Sequence, residues 1–309
     1  MTMTLKLLSV LSALSLLFGT VASAQTLTQT QDFSSFSRVE ASSAFKVTFV
    51  QSDTYKAVWT VNRDLKELVQ VYVQGETLHA DFLKKGMSPE LKKQYKGKNG
   101  SVQVLNLVVY APSLGALSLA DEAAADASSL PADPSSFSLE LTGGSSVTNL
   151  NLTTEALSIK MDKKSTAAVK ASSVKISVSL GNSAALTLNL TQDAETAELS
   201  QSGSSVLNFT GNVSKASLNV GGSSELQLSG KADILEVKSE GSSRIQANDF
   251  PVAKAYVTMQ NASRLYVNPS EILQVDLKGN SRLVYQNDPV IKIVQIISSS
   301  LTRWENEKK

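Results

Sequence analysis

The sequence contains no cysteine and only one histidine among its 309 residues. Without cysteine the chain cannot form disulfides, thiolate metal sites, a cysteine nucleophile or the lipid anchor of a bacterial lipoprotein. Small secreted domains are often stabilised by disulfides. The absence of disulfides in an exported chain of this size therefore favours a bacterial source over a small disulfide-rich secreted domain.

Aromatic residues are also scarce, and neither sign of charge is in excess. Phe, Trp and Tyr make up 6% of the chain, so an aromatic-lined binding groove is not prominent. Lys and Arg number 29 against 28 Asp and Glu, a balance that gives no support to nucleic-acid or anionic-membrane binding. We expect no nucleic-acid partner. The length allows about one to three domains.

The N-terminus has the three parts of a signal peptide. Lys6 precedes an apolar run over residues 7–18, and the small residues Ala22-Ser23-Ala24 follow. The run is short for a membrane span, and its ending fits signal-peptidase cleavage. We therefore expect a signal peptide over residues 1–24, an uncleaved N-terminal anchor being the alternative. The remaining chain would be neutral, because losing Lys6 leaves 28 basic and 28 acidic residues. We expect an exported protein that has no membrane span after cleavage and is periplasmic, secreted or located at the cell surface.

Small residues recur through the C-terminal two thirds at intervals of 18 to 22 residues. We call these positions the inner column, and every occupant is Ser or Ala: Ala123, Ser145, Ser165, Ala184, Ser205, Ser224, Ser243, Ser263, Ser281 and Ser300. A fixed period of this kind indicates a repeat architecture.

The surroundings of the inner column repeat as well. Two positions earlier, seven of the ten residues are Gly or Asn, which tolerate positive φ and suit a tight corner. Alternating apolar residues lie on both sides, as in "LNVGGSSELQL" over residues 218–228, with mostly polar residues between them. This period of two predicts strands with one dry and one wet face. Short polar segments such as "SGKAD" are expected to form returns between the units.

Such a unit cannot bury its apolar face alone, whereas stacked parallel units can. We therefore predict an all-β fold, a parallel β-helix or β-solenoid of about ten rungs of 19–20 residues. We expect it to be single-stranded and right-handed, following the bias of parallel crossovers. An antiparallel meander or sandwich is the alternative, but it would not keep the same corner chemistry at this period.

Residues 25–115 carry strand patterns without the repeat. We expect them to form an irregular β segment that caps the solenoid, with residues 116–309 forming the repeat and a C-terminal cap near Trp304. Six lysines between Lys84 and Lys98 accompany one Pro and three Gly, which predicts an exposed loop. Contact with an anionic polymer is the functional alternative for this loop.

Several segments together resemble one bacterial family. They are "FSRVEASSAFKVTFVQSDTYKAVWTV", "LVQVYVQGETLHADF", "LNLVVYAPSLGALSLADEA" and the G-S-S units that end in "LKGNSRLVYQNDP". This sequence is similar to DUF2807, labelled a "putative auto-transporter adhesin, head GIN domain", over roughly Phe33 to Pro289. The resemblance implies an exported β-helical protein. The chain departs from the family pattern in writing Gly-Ser-Ser or Gly-Asn-Ser at corners, and in having Asn287 where the family usually has Gly.

The residues offer little catalytic chemistry. His79 lies in a strand pattern with no triad or metal constellation to join. Glycoside hydrolysis needs two carboxyl groups about 5–10 Å apart, which in a solenoid means acids at matching positions of nearby rungs. The expected column of Asp276 contains Thr258, Lys238, Asn219, Ser179 and Lys160, and no acidic pair. Two local pairs, Asp193 with Glu195 and Asp233 with Glu236, fit solvated surface better.

We therefore expect no catalytic, cofactor-binding or metal-binding residues and no cofactor. The predicted function is a non-enzymatic, adhesin-like interaction module of the cell envelope, with a surface glycan or an envelope protein as candidate partner. A carbohydrate-active enzyme or a glycan-binding lectin on the same β-helix is the alternative. A lectin would need an exposed aromatic platform, for which Trp59 and Trp304 are the only tryptophans.

Overall fold

The chain folds as a β-solenoid of about ten turns, as the sequence predicts. The computed structural model describes residues 26–96 and 100–304. Strands contain 66% of the residues and helices contain 5%. The expected signal peptide lies outside the described residues.

Twenty-one strands follow one another within the described residues. The N-terminal third contains β1 (Thr26–Phe33), β2 (Arg38–Ala41), β3 (Lys46–Gln51), β4 (Tyr55–Asn62), β5 (Val69–Gln74), β6 (Thr77–Phe82) and β7 (Leu105–Ala111). The repeats contain β8 (Ala116–Leu119), β9 (Ala124–Asp126), β10 (Ser136–Leu141), β11 (Ser146–Met161), β12 (Thr166–Leu180), β13 (Ala185–Leu190), β14 (Ala194–Gln201), β15 (Val206–Val220), β16 (Glu225–Ser239), β17 (Arg244–Met259), β18 (Arg264–Lys278), β19 (Arg282–Tyr285), β20 (Val290–Ile297) and β21 (Ser300–Arg303).

Corners divide each turn between two parallel ladders. The segments before the corners pair to form what we call the first sheet, in the order β6, β2, β8, β10, β11, β12, β14, β15, β16, β17, β18, β20. The segments after the corners form the second sheet, in the order β7, β3, β9, β11, β12, β13, β15, β16, β17, β18, β19, β21. Six strands have 15 or 16 residues and belong to both sheets: β11, β12, β15, β16, β17 and β18. Between β12 and β15, two shorter strands take their place, with β13 in the second sheet and β14 in the first.

The polar returns differ from the expectation. "SGKAD" lies inside β16 and "DFPVAK" inside β17, and both segments keep parallel partners in the next rung. Hydrogen bonds to neighbouring rungs satisfy the backbone there, so a polar sequence can turn without leaving the ladder. From β15 to the end of β18 the strands are interrupted only at the corners.

The inner column lies inside the solenoid, as the alternation predicts. Nine of its ten residues are at most 1% exposed, and only Ser300, in the last rung, lies at the surface. Most of the hydroxyl groups are satisfied by backbone: Ser145 donates to Leu119 O at 3.0 Å, and Ser224 donates to Gly221 O at 2.7 Å. One ladder bond joins hydroxyls of neighbouring rungs, from Ser205 to Ser224 at 3.3 Å. These bonds offset the cost of burying the serines.

All ten corner residues two positions before the inner column have positive φ. Besides Gly and Asn, they include Asp121 at 51°, Lys163 at 51° and Ser298 at 49°. A non-glycine residue in this region is strained by roughly 1–2 kcal/mol. The corner geometry therefore extends to the three positions where the residue type did not indicate it.

The strands of the N-terminal third lie at one end of the solenoid, which we call the capped end, and they are not stacked in chain order. The rung formed by β2 and β3 lies between the rung of β6 and β7 and the rung of β8 and β9. Beyond β6 and β7, antiparallel strands close the end: β5 pairs with β6, β4 pairs with β7, and β1 pairs with β4. Because these strands pair antiparallel, the stack of parallel rungs ends there.

The lysine-rich segment contains a short helix that was expected to be loop. Helix α1 spans Pro89–Gln94, and the side chain of Ser88 caps it by accepting a bond from the Leu91 amide at 3.2 Å. The hydroxyl of Tyr95 donates to Asp64 at 2.7 Å. Burial and this carboxylate raise the pKa of Tyr95 above its ordinary value. In the described part of the chain, no helix has the length and apolar character to cross a membrane.

The last rung remains partly uncovered. Strand β20 pairs with β18 on one side, and its Val290, Ile293, Val294 and Ile297 are 54–63% exposed. Strand β21 pairs with β19, and Trp304 follows it, 43% exposed.

Candidate functional site

Three arginines occupy the same position in three consecutive rungs of the second sheet. Arg244 is paired in register with Arg264, and Arg264 with Arg282. Each follows directly after an inward serine of the inner column, so the alternation of the strand directs it outward. All three are exposed. Neighbouring strands are about 4.8 Å apart, so the three side chains leave the sheet as an evenly spaced row, which we call the arginine ladder.

Little negative charge offsets the arginine ladder. Glu225 occupies the preceding rung and lies 3.9 Å from Arg244, with both side chains about half exposed. Within residues 26–96 and 100–304, no carboxylate comes within 4.0 Å of Arg264 or Arg282. Exposed guanidinium groups can bind anions, and their planar forks match a carboxylate in two-point contacts.

An aromatic pair lies beside the arginine ladder. The rings of Tyr266 and Trp304 meet edge to face with centroids 5.8 Å apart. With Arg244, Arg264, Gln246 and Asn248 they line a depression of about 390 Å³. A second depression, about 380 Å³, lies between Arg264 and Arg282 and is floored by corner residues. The surface thus combines cations, amides and aromatic faces along three rungs.

The outer face of the first sheet contains a different feature, a trough of about 590 Å³. Glu198, Ser217, Glu236, Tyr256 and Gln274 follow one another in register along it. Glu198 and Glu236 are two rungs apart, or roughly 9.6 Å along the ladder. The column of Asp276 has no adjacent acids, as expected. The pair of Glu198 and Glu236 lies in the neighbouring outward column, for which the sequence analysis made no prediction.

The environment of Glu236 favours its charged form. Lys215 lies 2.7 Å away and Ser217 donates a hydrogen bond at 3.3 Å. These two contacts hold the pKa of Glu236 below its usual range, the hydrogen bond with Lys215 being the largest cause. A general acid in glycoside hydrolysis needs the opposite shift. Glu236 is therefore suited to electrostatic pairing rather than to proton donation.

His79 lies at the capped end, away from both surfaces. Its ring stacks on Tyr72 with centroids 5.0 Å apart, and its Nδ1 is 3.3 Å from a carboxylate oxygen of Glu40. Arg38 contacts the other oxygen of Glu40 at 3.5 Å. No nucleophile completes a triad in these contacts, and the described residues contain no cluster of His, Asp and Glu that could hold a metal ion.

The two tryptophans differ in how exposed their side chains are. Trp59 is 8% exposed and its indole donates to Gln29 at 2.9 Å, so it belongs to the cap. Trp304 is the exposed one. The arginine ladder was missed, although its signal was present: Arg follows the inner-column serine in three successive repeats, as "SSR", "ASR" and "NSR".

A parallel β-solenoid whose outer faces are flat and polar, with cations and aromatics gathered near one end, defines a class of repeat protein with extended binding surfaces. The chain belongs to the family DUF2807, described as "Putative auto-transporter adhesin, head GIN domain", whose model matches residues 35–188 and 163–289. No match was found among curated proteins.

Three solved structures from Parabacteroides species align with this chain. A putative adhesin from Parabacteroides merdae ATCC 43184 aligns with a TM-score of 0.47 at 13% identity, covering 91% of this chain and 97% of its own. A putative adhesin from Parabacteroides distasonis ATCC 8503 gives 0.43 at 14% identity, covering 91% and 98%. A structure titled as a putative lipid binding protein from the same strain gives 0.40 at 16% identity, covering 91% and 97%.

Proposed function

We propose that the protein is an exported, non-enzymatic interaction module of the cell envelope that binds its partner through the arginine ladder and the Tyr266–Trp304 pair. The observation that carries this proposal is the arginine ladder itself. Three exposed guanidinium groups in one row, beside aromatic rings, form a surface that the fold does not require, because most other repeats place small or polar residues there. Membership of an adhesin-like family supports the same class of function.

Export also belongs to the proposal. Residues 1–24 act as the signal peptide, residues 25–115 as the cap, and residues 116–309 as the repeat solenoid. Mass spectrometry of the protein from the periplasm or the medium of a bacterial host should show an N-terminus at Gln25. An intact Met1 in the exported fraction would contradict cleavage.

A binding screen tests the interaction module directly. The purified protein is applied to an array of bacterial and host glycans and, in parallel, to envelope extracts. We expect saturable binding that the triple substitution Arg244→Gln, Arg264→Gln and Arg282→Gln abolishes. Binding that survives this substitution would remove the proposed surface.

A carbohydrate-active enzyme is the second candidate, because Glu198 and Glu236 lie on one wall of the trough. Their spacing falls at the upper end of the range for two catalytic carboxyls. Incubation with neutral and acidic polysaccharides should release no reducing ends. Release that Glu198→Gln and Glu236→Gln both eliminate would favour the enzyme instead.

A further inference from the structure

We propose that the ligand of the arginine ladder is a linear polysaccharide with carboxylates on its sugar rings, a polyuronate. This inference rests on the proposed function and adds the chemical class of the ligand. The row of guanidinium groups would bind successive carboxylates, and the aromatic pair would pack against a sugar face.

The first support is the match between spacing and charge. Arg244, Arg264 and Arg282 repeat at about 4.8 Å, the distance between rungs. Consecutive rings of an extended sugar chain repeat on a similar scale, although their carboxylates point to different sides of the chain, so the long, exposed arginine side chains would reach around it to bind successive carboxylates. Arginine binds carboxylates bidentately, and such charge-assisted bonds are roughly twice as strong as neutral ones.

The second support is the chemistry around Arg264. Gln246 and Asn248 line the same depression and offer amide donors and acceptors that suit hydroxyl groups. Trp304, 43% exposed, presents an indole that can contact the apolar face of a pyranose ring. Val284 is paired in register with Tyr266 and is placed outward by alternation, yet it is only 7% exposed, so neighbouring side chains cover it.

Other polyanions fit less well. Double-stranded DNA carries one phosphate per about 1.7 Å of helix axis, a charge density that a single row of three arginines matches poorly. Stable contact with an anionic membrane uses clusters of about 4–8 basic residues, more than the three in the row. A sheet face of polar residues and sparse aromatics is instead suited to a single extended glycan chain.

The lysine-rich segment is the competing basic surface. Lys84, Lys85 and Lys92 line a depression of about 690 Å³ near the capped end. Asp121 and Glu122 line the same depression, so acidic groups offset part of its charge. The lysines nevertheless give a matched control, because removing three of them changes the net charge by the same amount as removing the three arginines.

Calorimetric titration of the purified protein with a hexamer of polygalacturonate tests the inference. We expect binding that weakens by at least about tenfold, or roughly 1.4 kcal/mol, in the variant Arg244→Gln/Arg264→Gln/Arg282→Gln. The variant Lys84→Gln/Lys85→Gln/Lys92→Gln should stay within about threefold of the unchanged protein. Trp304→Ala should weaken binding by about fivefold at unchanged net charge. Circular dichroism melts confirm that each variant is folded.

Four results would overturn the inference. Equal losses in the arginine and lysine variants would mean that only net charge acts. Equal binding of the fully methyl-esterified hexamer would show that carboxylates are not recognised. Tighter, ladder-dependent binding of oligothymidylate would assign the surface to nucleic acid. Ladder-dependent capture of a neutral glycan on the array, without binding of the uronate hexamer, would refute the polyuronate alone and leave the interaction module standing.

Discussion

Gly222 lies directly over Gly203 at the corners of neighbouring rungs, so closely that a Cβ on Gly222 would be 2.5 Å from the carbonyl oxygen of Gly203. Gly222 also has a φ of 70°, where an L side chain is strained. The stack continues to Gly241, whose own Cβ would be 2.5 Å from the Gly222 carbonyl. Three glycines in this series therefore allow the backbones of successive corners to meet.

Gly222→Ala should destabilise the protein by about 2–4 kcal/mol, combining backbone strain with the displacement of a neighbouring corner. Urea unfolding followed by circular dichroism measures the change. Glu225→Ala, three residues away on the exposed face, is the control and should change the stability by less than about 0.5 kcal/mol. Similar losses in both variants would contradict the assignment of inner and outer faces.

Substitutions of Ser224 test whether the inner column is closely packed. Ser224→Ala removes bonds to Ser205 and Gly221, and should cost only about 1 kcal/mol, because the column already accommodates Ala184. Ser224→Leu should cost more, about 1–3 kcal/mol, since rungs above and below leave no room for the added carbons. Thermal melts of both variants give the comparison. An equally mild effect of leucine would mean that the column is not closely packed.

The pair of Lys215 and Glu236 predicts a pH effect. Lys215→Met should raise the pKa of Glu236 towards its usual value, because the dominant hydrogen bond is lost. Lys238→Met is the control, since Lys238 acts only through a weaker charge interaction. Carboxyl chemical shifts followed by NMR between pH 2 and 7 report both values. A larger shift in the Lys238 variant would reverse the assigned order of causes.

The same pair fixes the sign of a small stability change. A carboxyl group whose pKa is lower in the folded state stabilises the protein above its unfolded pKa, and this contribution is lost as the pH falls through the folded pKa. The stability lost on Lys215→Met should therefore be seen at pH 7 and disappear once the pH falls below the folded-state pKa of Glu236. Because both side chains are nearly half exposed, it should stay below about 1 kcal/mol.

Helix α1 depends on its cap. Ser88→Ala removes the side-chain acceptor of the Leu91 amide and should weaken the helix by about 1 kcal/mol. Hydrogen exchange at residues 91–95 should accelerate about fivefold, while exchange in the strands of the solenoid should not change. Ser88→Asp is the matched control and should preserve the cap. Equal acceleration in both variants would exclude the cap as the cause.

Much of the repeat could be predicted because small residues occupy the same positions in each rung. Serine or alanine at the inner column, glycine or asparagine before it, and apolar alternation on both sides all report the same geometry. Lys163 shows the limit of this signal, since it adopts the corner conformation without the residue type that favours it. There the neighbouring rungs impose the backbone, and the local sequence does not reveal it.

Other features depend on contacts that no local pattern contains. The rung of β2 and β3 is flanked by strands that come later in the chain, so its place could not be derived from the order of the sequence. Helix α1 had a local signal, Ser88 followed by Pro89 and Glu90, but the six surrounding lysines favoured a loop. The acidic pair of Glu198 and Glu236 required the register of each rung, and one residue of error moves a side chain to the opposite face.

The interleaved rung at the capped end has a consequence for the order of folding. Residues 38–51 are synthesised early, yet the strands on either side of them span residues 77–126. Chains emerge from the ribosome with the N-terminus first, and contacts between distant residues form slowly. The regular rungs pair with neighbours only about twenty residues away, so they can add one after another once a template exists. The slow step is therefore the assembly of that template, and the rung of β2 and β3 has partners on both sides only after some seventy-five later residues have been added.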